Sequence, residues 1–87
     1  MTNPHSSASE ADNPEAQYAL AELHLKGDGV PKNFAEAARL FRRAAEKGNL
    51  ARAQYALGLL YQRGLGVPKG DVEAVLWWQK AADQNFM

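Results

Sequence analysis

Apolar side chains recur along this chain at helical spacing. Ala37, Phe41, Ala44 and Ala45 fall at i, i+4, i+7 and i+8 with Leu40 beside them, and Ala74, Trp78, Ala81 and Ala82 repeat the arrangement. Such spacing gathers the side chains on one face of an amphipathic helix. Ala16, Leu20 and Leu23 line one side of an earlier segment, and Ala53, Leu57 and Leu60 match them later. Helix punctuation surrounds these segments. Asn13-Pro14-Glu15 is a start signal: Asn caps, Pro fills the first turn where its missing N–H costs nothing, and Glu suits the positive end of the dipole. The predicted helices run over 14–26, ending at Gly27; from Asn33 with Glu36 as a capping-box partner to about Lys47, ending at Gly48; over 51–63, ending at Gly64; and over 71–84, with Gly70 or Asp71 at the start and Asn85 near the end.

The segments are related. Ala16-Gln17-Tyr18-Ala19-Leu20 returns as Ala53-Gln54-Tyr55-Ala56-Leu57, and Gly27-Asp28-Gly29-Val30-Pro31-Lys32 returns as Gly64-Leu65-Gly66-Val67-Pro68-Lys69. Laying 14–50 over 51–87 gives 15 identities in 37 pairs without a gap. A constant period of about 20–50 residues marks a stacked-repeat architecture. Short connections make each helix pair an antiparallel hairpin. The predicted fold is all-α, an α-solenoid of two stacked helix-loop-helix repeats, 14–50 and 51–87. Before them lies a polar leader, 1–13, expected to be disordered.

Composition then narrows the function. The chain of 87 residues bounds one small domain, and its alanine-rich composition favours helix. Ten basic and ten acidic side chains leave a formal charge of zero, which argues against a general polyanion binder. The absence of cysteine excludes disulfides and thiolate metal sites. No apolar run reaches the roughly 18 residues a membrane helix needs. The leader shows neither a basic n-region nor an apolar h-region. No secretory signal is expected, so the placement is cytoplasmic by default and periplasmic if the chain is a piece of a longer protein.

The motifs resemble the Sel-one-like repeat, a relative of the tetratricopeptide repeat, whose pattern runs Ala-x-x-x-Leu-Gly-x-x-Tyr-x-x-Gly-x-Gly-Val and then Ala-x-x-Trp-[aromatic]-x-x-Ala-Ala. The second repeat carries Ala53, Leu57, Gly58, Tyr61, Gly64, Gly66, Val67, Ala74, Trp77, Trp78, Ala81 and Ala82. The first departs at Ala21, where Gly is usual, at His24, where Tyr is usual, and at Leu40-Phe41, where Trp-aromatic is usual. Asn33 and Gly70 replace the capping Asp. The period is one residue longer than usual, the extra residue lying between Gly48 and Ala53. The resemblance implies a right-handed superhelix used as a non-catalytic protein-interaction adaptor.

Candidate chemistry is sparse. The Gly-x-Gly-Val-Pro-Lys loops follow a helix, precede Pro, and lack the Ser or Thr after lysine that a phosphate loop needs. His5 and His24 are the only histidines, too few for a zinc site. No Ser/His/Asp grouping or Cys nucleophile is present, so no enzyme, cofactor or metal is expected. Residues 37–69 hold seven cations against Glu46 alone. A solvated face explains them, with Glu36–Arg39 at i, i+3 and Arg42–Glu46 at i, i+4. An acidic protein partner is the sharper alternative, and a nucleic-acid partner, not expected, would show steep salt dependence.

In the resembling superfamily the first helix of each pair forms the inner wall. The residues expected to look inward are Glu15, Tyr18, Glu22, Leu25 and Lys26, then Arg52, Tyr55, Leu59, Gln62 and Arg63. Of these Tyr18, Glu22, Leu25, Lys26, Tyr55, Leu59, Gln62 and Arg63 are the candidate partner-binding set, with Tyr and Arg as usual interface anchors. The alternative is a structural role. Trp77 and Trp78 point about 100° apart on the last helix, and with Phe86 they form an expected self-association surface toward a second copy, a partner or a further repeat.

Overall fold

The structure, a computed structural model, describes residues 13–85. The expected disordered leader falls outside them, apart from Asn13. Four helices follow one another: α1 Pro14–Lys26, α2 Phe34–Glu46, α3 Ala51–Arg63 and α4 Asp71–Ala82. There is no strand among the described residues. Each helix packs on the next, so α1/α2 and α3/α4 are hairpins and α2/α3 is the joint between repeats.

The ends form as their residues dictate. The Asn13 side chain accepts hydrogen bonds from the backbone N–H of Glu15 at 2.9 Å and Ala16 at 3.2 Å, and Asn33 accepts one from Glu36 at 3.0 Å. Gly27 and Gly64 take left-handed φ values of 74° and 68° and donate back to the Leu23 and Leu60 carbonyls. The returning chain then closes each hairpin: Asn33 N–H donates to the His24 carbonyl at 2.9 Å, and Gly70 N–H to the Tyr61 carbonyl at 2.8 Å. Two ends differ from expectation. α2 stops at Glu46, and it is Asn49, with φ 50°, that turns the chain, not Gly48. Gly48 instead permits a close approach, since a Cβ there would overlap the Pro14 ring. α4 stops at Ala82, short of the expected 84.

The core is lined by small side chains around a few large ones. Ala37, Ala44 and Ala53 are fully buried, and Phe41 and Leu57 fill the space between the helices. Alanine at these positions lets helix backbones approach closely. The two repeats are not buried alike. Leu57 and Leu60 are 0% and 2% exposed, whereas Leu20 and Leu23, at the same repeat positions, are 40% and 38% exposed. α3 has α2 behind it; no helix among the described residues stands behind α1.

Gln54 is the more deeply buried of the two interior glutamines, 2% exposed against 6% for Gln17. Its amide donates to the Ala45 carbonyl at 3.2 Å and to Asn49 Oδ1 at 3.0 Å, and its oxygen accepts from Gln84 Nε2 at 3.1 Å. No buried side-chain polar atom among the described residues lacks a partner.

Candidate functional site

The first helix of each pair carries a tyrosine one repeat apart, and each ring is held from behind by the second helix. Tyr18 meets Phe41 edge-to-face, with centroids 5.4 Å apart at 65°. Tyr55 stacks against Trp78 at 6.3 Å and 35°. Both tyrosines are half-buried, so their rings are fixed while their outer edges stay accessible. Burial pushes the Tyr18 hydroxyl above its usual pKa, and the nearby Glu22 carboxylate, which accepts its hydrogen bond, pushes it further. Tyr18 is therefore a neutral donor at physiological pH.

Arg52 joins the two repeats on this face. Its guanidinium donates to the Glu15 carboxylate and lies over the Tyr18 ring, 5.3 Å from the centroid. Glu15 and Tyr18 on α1 thus meet Arg52 on α3, with Glu22 bonded to Tyr18 behind them. The remaining expected residues are more dispersed. Leu25 is half-buried and packs on the core, and Leu59 is half-buried on α3. Lys26, Gln62 and Arg63 are exposed on the last turns of α1 and α3, where cations suit the negative helix end.

The tryptophans have different tasks. Trp78 lies within its own repeat, its Nε1 donating to the Tyr55 carbonyl at 3.2 Å, in a space that Gly58 leaves open. Trp77 is half-buried against the core, with Lys80 Nζ 5.8 Å from its ring centroid. The large exposed apolar side chains of α4 are Val72, Val75 and Leu76. Phe86 lies outside the described residues. Sequence reasoning passed over these three aliphatic positions, although their i, i+3, i+4 spacing was visible.

The cationic stretch is largely engaged. Arg39 pairs with Glu36 at 2.6 Å and Arg42 with Glu46 at 3.2 Å. Arg42 also donates to the Tyr61 hydroxyl: burial works against its charge, and the Tyr61 and Glu46 contacts outweigh that, so its pKa stands above the usual value. His24 sets Nδ1 3.3 Å from the Pro31 carbonyl, placing it against the glycine loop. No cluster of three or more His, Cys, Asp or Glu that could hold a metal occurs among the described residues. No described helix is long and apolar enough to cross a membrane.

Comparison with known proteins agrees with this architecture. A crystal structure of a Sel1 repeat protein from Oxalobacter formigenes superposes with a TM-score of 0.82 at 48% identity, covering 86% of this chain and 30% of that one. The crystal structure of a protective antigen present in uropathogenic Escherichia coli strains, described as displaying an SLR fold, superposes with a TM-score of 0.82 at 39% identity, covering 88% and 16%. The chain therefore spans less than a third of either relative. A search of curated protein sequences finds no match. The sequence model of the Sel1 repeat matches residues 14–49 and again 51–86. With two matched repeats, each a helix pair closed by a glycine loop, the chain belongs to the Sel1 repeat family.

Proposed function

We propose that this chain is a non-catalytic adaptor that binds a protein or peptide on the face formed by α1 and α3. Family membership supports the coarser part, since Sel1 repeats are typically protein-interaction modules. The finer part rests on one observation: Tyr18 and Tyr55 stand one repeat apart, each ring braced by an aromatic of the following helix. Braced tyrosines offer contact area at little entropic cost, and their hydroxyls add directional bonds. Glu22, Leu25 and Leu59 flank them. Lys26, Gln62 and Arg63 favour a segment with an acidic side chain at that end.

The test is capture of a partner from host lysate, identification, and titration against variants. Lys26→Glu with Arg63→Glu changes exposed residues only and should weaken binding at least about tenfold, or 1.4 kcal/mol. Tyr18→Phe should weaken it less. A partner whose affinity ignores these changes but falls with Val75→Glu would refute the assignment to this face.

A second reading is self-association through the last helix. The exposure of Val72, Val75 and Leu76 favours it. The apolar contact expected around Trp77 and Trp78 then centres on these aliphatic side chains, with the tryptophans behind them.

A further inference from the structure

The joint between the repeats is a template against which both ends of the molecule are measured. Leu57 and Leu60 of α3 are buried in it, while Leu20 and Leu23 at the same positions of α1 are about two-fifths exposed. On the receiving side Ala38 of α2 is 4% exposed, while Val75 at its position on α4 is 55% exposed. Ala82 is exposed where Ala45 is buried. Among the described residues, nothing covers the two complementary halves of a joint that the chain already forms once internally.

The polar groups complement one another as well. Within the chain Glu15 pairs with Arg52 at the same repeat position. A copy docked on α4 in the relation α3 bears to α2 brings its own Glu15 to Arg52, so acid and base alternate along the face. The Arg42–Tyr61 contact becomes Gln79 against His24, again a hydrogen-bonding pair. Gly66 sits over the Phe34 carbonyl so closely that a Cβ would overlap it, whereas a Cβ on Gly29 would meet nothing within 4 Å. In the docked copy Gly29 sits over the Asp71 carbonyl. Val75 exceeds Ala38 in volume and His24 falls short of Tyr61, so the exchanges run in opposite directions.

From this we infer that the chain stacks head to tail on a second copy, α1 of one on α4 of the other, as α3 stacks on α2. The inference rests on the self-association reading, narrows its α4 surface from Val72, Val75 and Leu76 to Val75, and adds Leu20 and Leu23 of α1 as the opposing face. Such a contact is heterologous, so it does not close at a dimer but extends with concentration. Val72 and Leu76 stay outside it, because their counterparts Ala35 and Arg39 remain exposed beside the internal joint.

Sedimentation equilibrium from micromolar to millimolar concentration tests it. The parent's average mass should rise past the dimer. Leu20→Glu with Leu23→Glu blocks one face and Val75→Glu the other, so each variant alone should stay monomeric. Mixed one to one, they should form a dimer and nothing larger, and Leu76→Glu should associate like the parent. Far-UV circular dichroism checks that each variant is folded. If the double leucine variant unfolds, Leu23→Gln reads the same face as an association weakened at least about tenfold. Parent-like association of the leucine variants, or its loss in Leu76→Glu, would reveal pairing of α4 with α4. That result overturns the head-to-tail inference and leaves self-association standing. A strictly monomeric parent overturns both.

Discussion

Gly58→Ala probes the packing of α4 on α3. In a helix interior glycine costs about 0.8–1.0 kcal/mol relative to alanine, so on an open surface the change would stabilise. Gly58 is buried, and a Cβ there would overlap Nε1 and Cδ1 of Trp78 and lie 3.1 Å from the Ala74 carbonyl oxygen. Either α4 backs away or the indole rotates and gives up its 3.2 Å bond to the Tyr55 carbonyl. Overpacking of this kind costs about 1–3 kcal/mol and the lost bond about 1 kcal/mol. Set against the propensity gain, the net is a destabilisation of about 1–3 kcal/mol. In a domain this small each kcal/mol lowers Tm by about 4–8 °C. The first repeat contains the remedy. There Ala21 and Phe41 occupy the positions of Gly58 and Trp78, and both are buried. Gly58→Ala combined with Trp78→Phe rebuilds that pair, so the double variant should be more stable than the sum of the single effects predicts by about 1 kcal/mol or more. Thermal and urea melts of the four proteins supply the cycle. A Gly58→Ala protein that melts above the parent, or single effects that add within about 0.5 kcal/mol, would refute the reasoning.

Two further outcomes follow from local geometry. Gly29 and Gly66 share left-handed φ values of 82° and 75°, but only Gly66 has a neighbour that a Cβ would overlap. Gly29→Ala should therefore cost about 1 kcal/mol of conformational strain, and Gly66→Ala at least about 1 kcal/mol more through overpacking; equal melting of the two variants contradicts this. Hydrogen bonding from Arg39 holds the Glu36 carboxyl below its usual pKa. A lowered folded-state pKa contributes stability above the unfolded value, which is lost as pH falls through the folded one. Glu36→Gln should cost about 0.3–0.5 kcal/mol at neutral pH and nothing once the carboxylates are protonated, and a difference that survives acidification excludes this origin.

The helices and their order were legible because three of the four are bounded on at least one side by a residue with one local task. Asn13 and Asn33 cap, and Gly27 and Gly64 turn left-handed, by interactions within a few residues. At the end of α2 the tertiary contact decided. Gly48 looked like the turning residue, but Pro14 presses on it, and the positive φ passed to Asn49. The face carrying Tyr18 and Tyr55 could be counted from helical spacing. What braces the rings could not, because Phe41 and Trp78 come from the other helix of each pair. Ala21 and Phe41 read separately as departures from the family pattern. The Gly58–Trp78 contact shows that they belong together: the smaller aromatic leaves room for a methyl group. The return of Gln17 as Gln54 at a core position was the one available sign of a buried polar contact.

That glutamine has a mechanical consequence. The joint around it is lined by Ala38, Ala45 and Ala53, whose short side chains give the facing helices little relief to lock against. A smooth contact resists separation better than it resists shear. Gln54 supplies what alanine lacks, since its amide is tied at once to the Ala45 carbonyl, Asn49 and Gln84. A slip of the helices would strand the buried Gln54 amide and Ala45 carbonyl away from water at about 1–3 kcal/mol each. The pitch from one repeat to the next, and with it the stiffness of the solenoid against twisting, is therefore set by this amide together with Leu57 and Leu60, which are buried in the same joint.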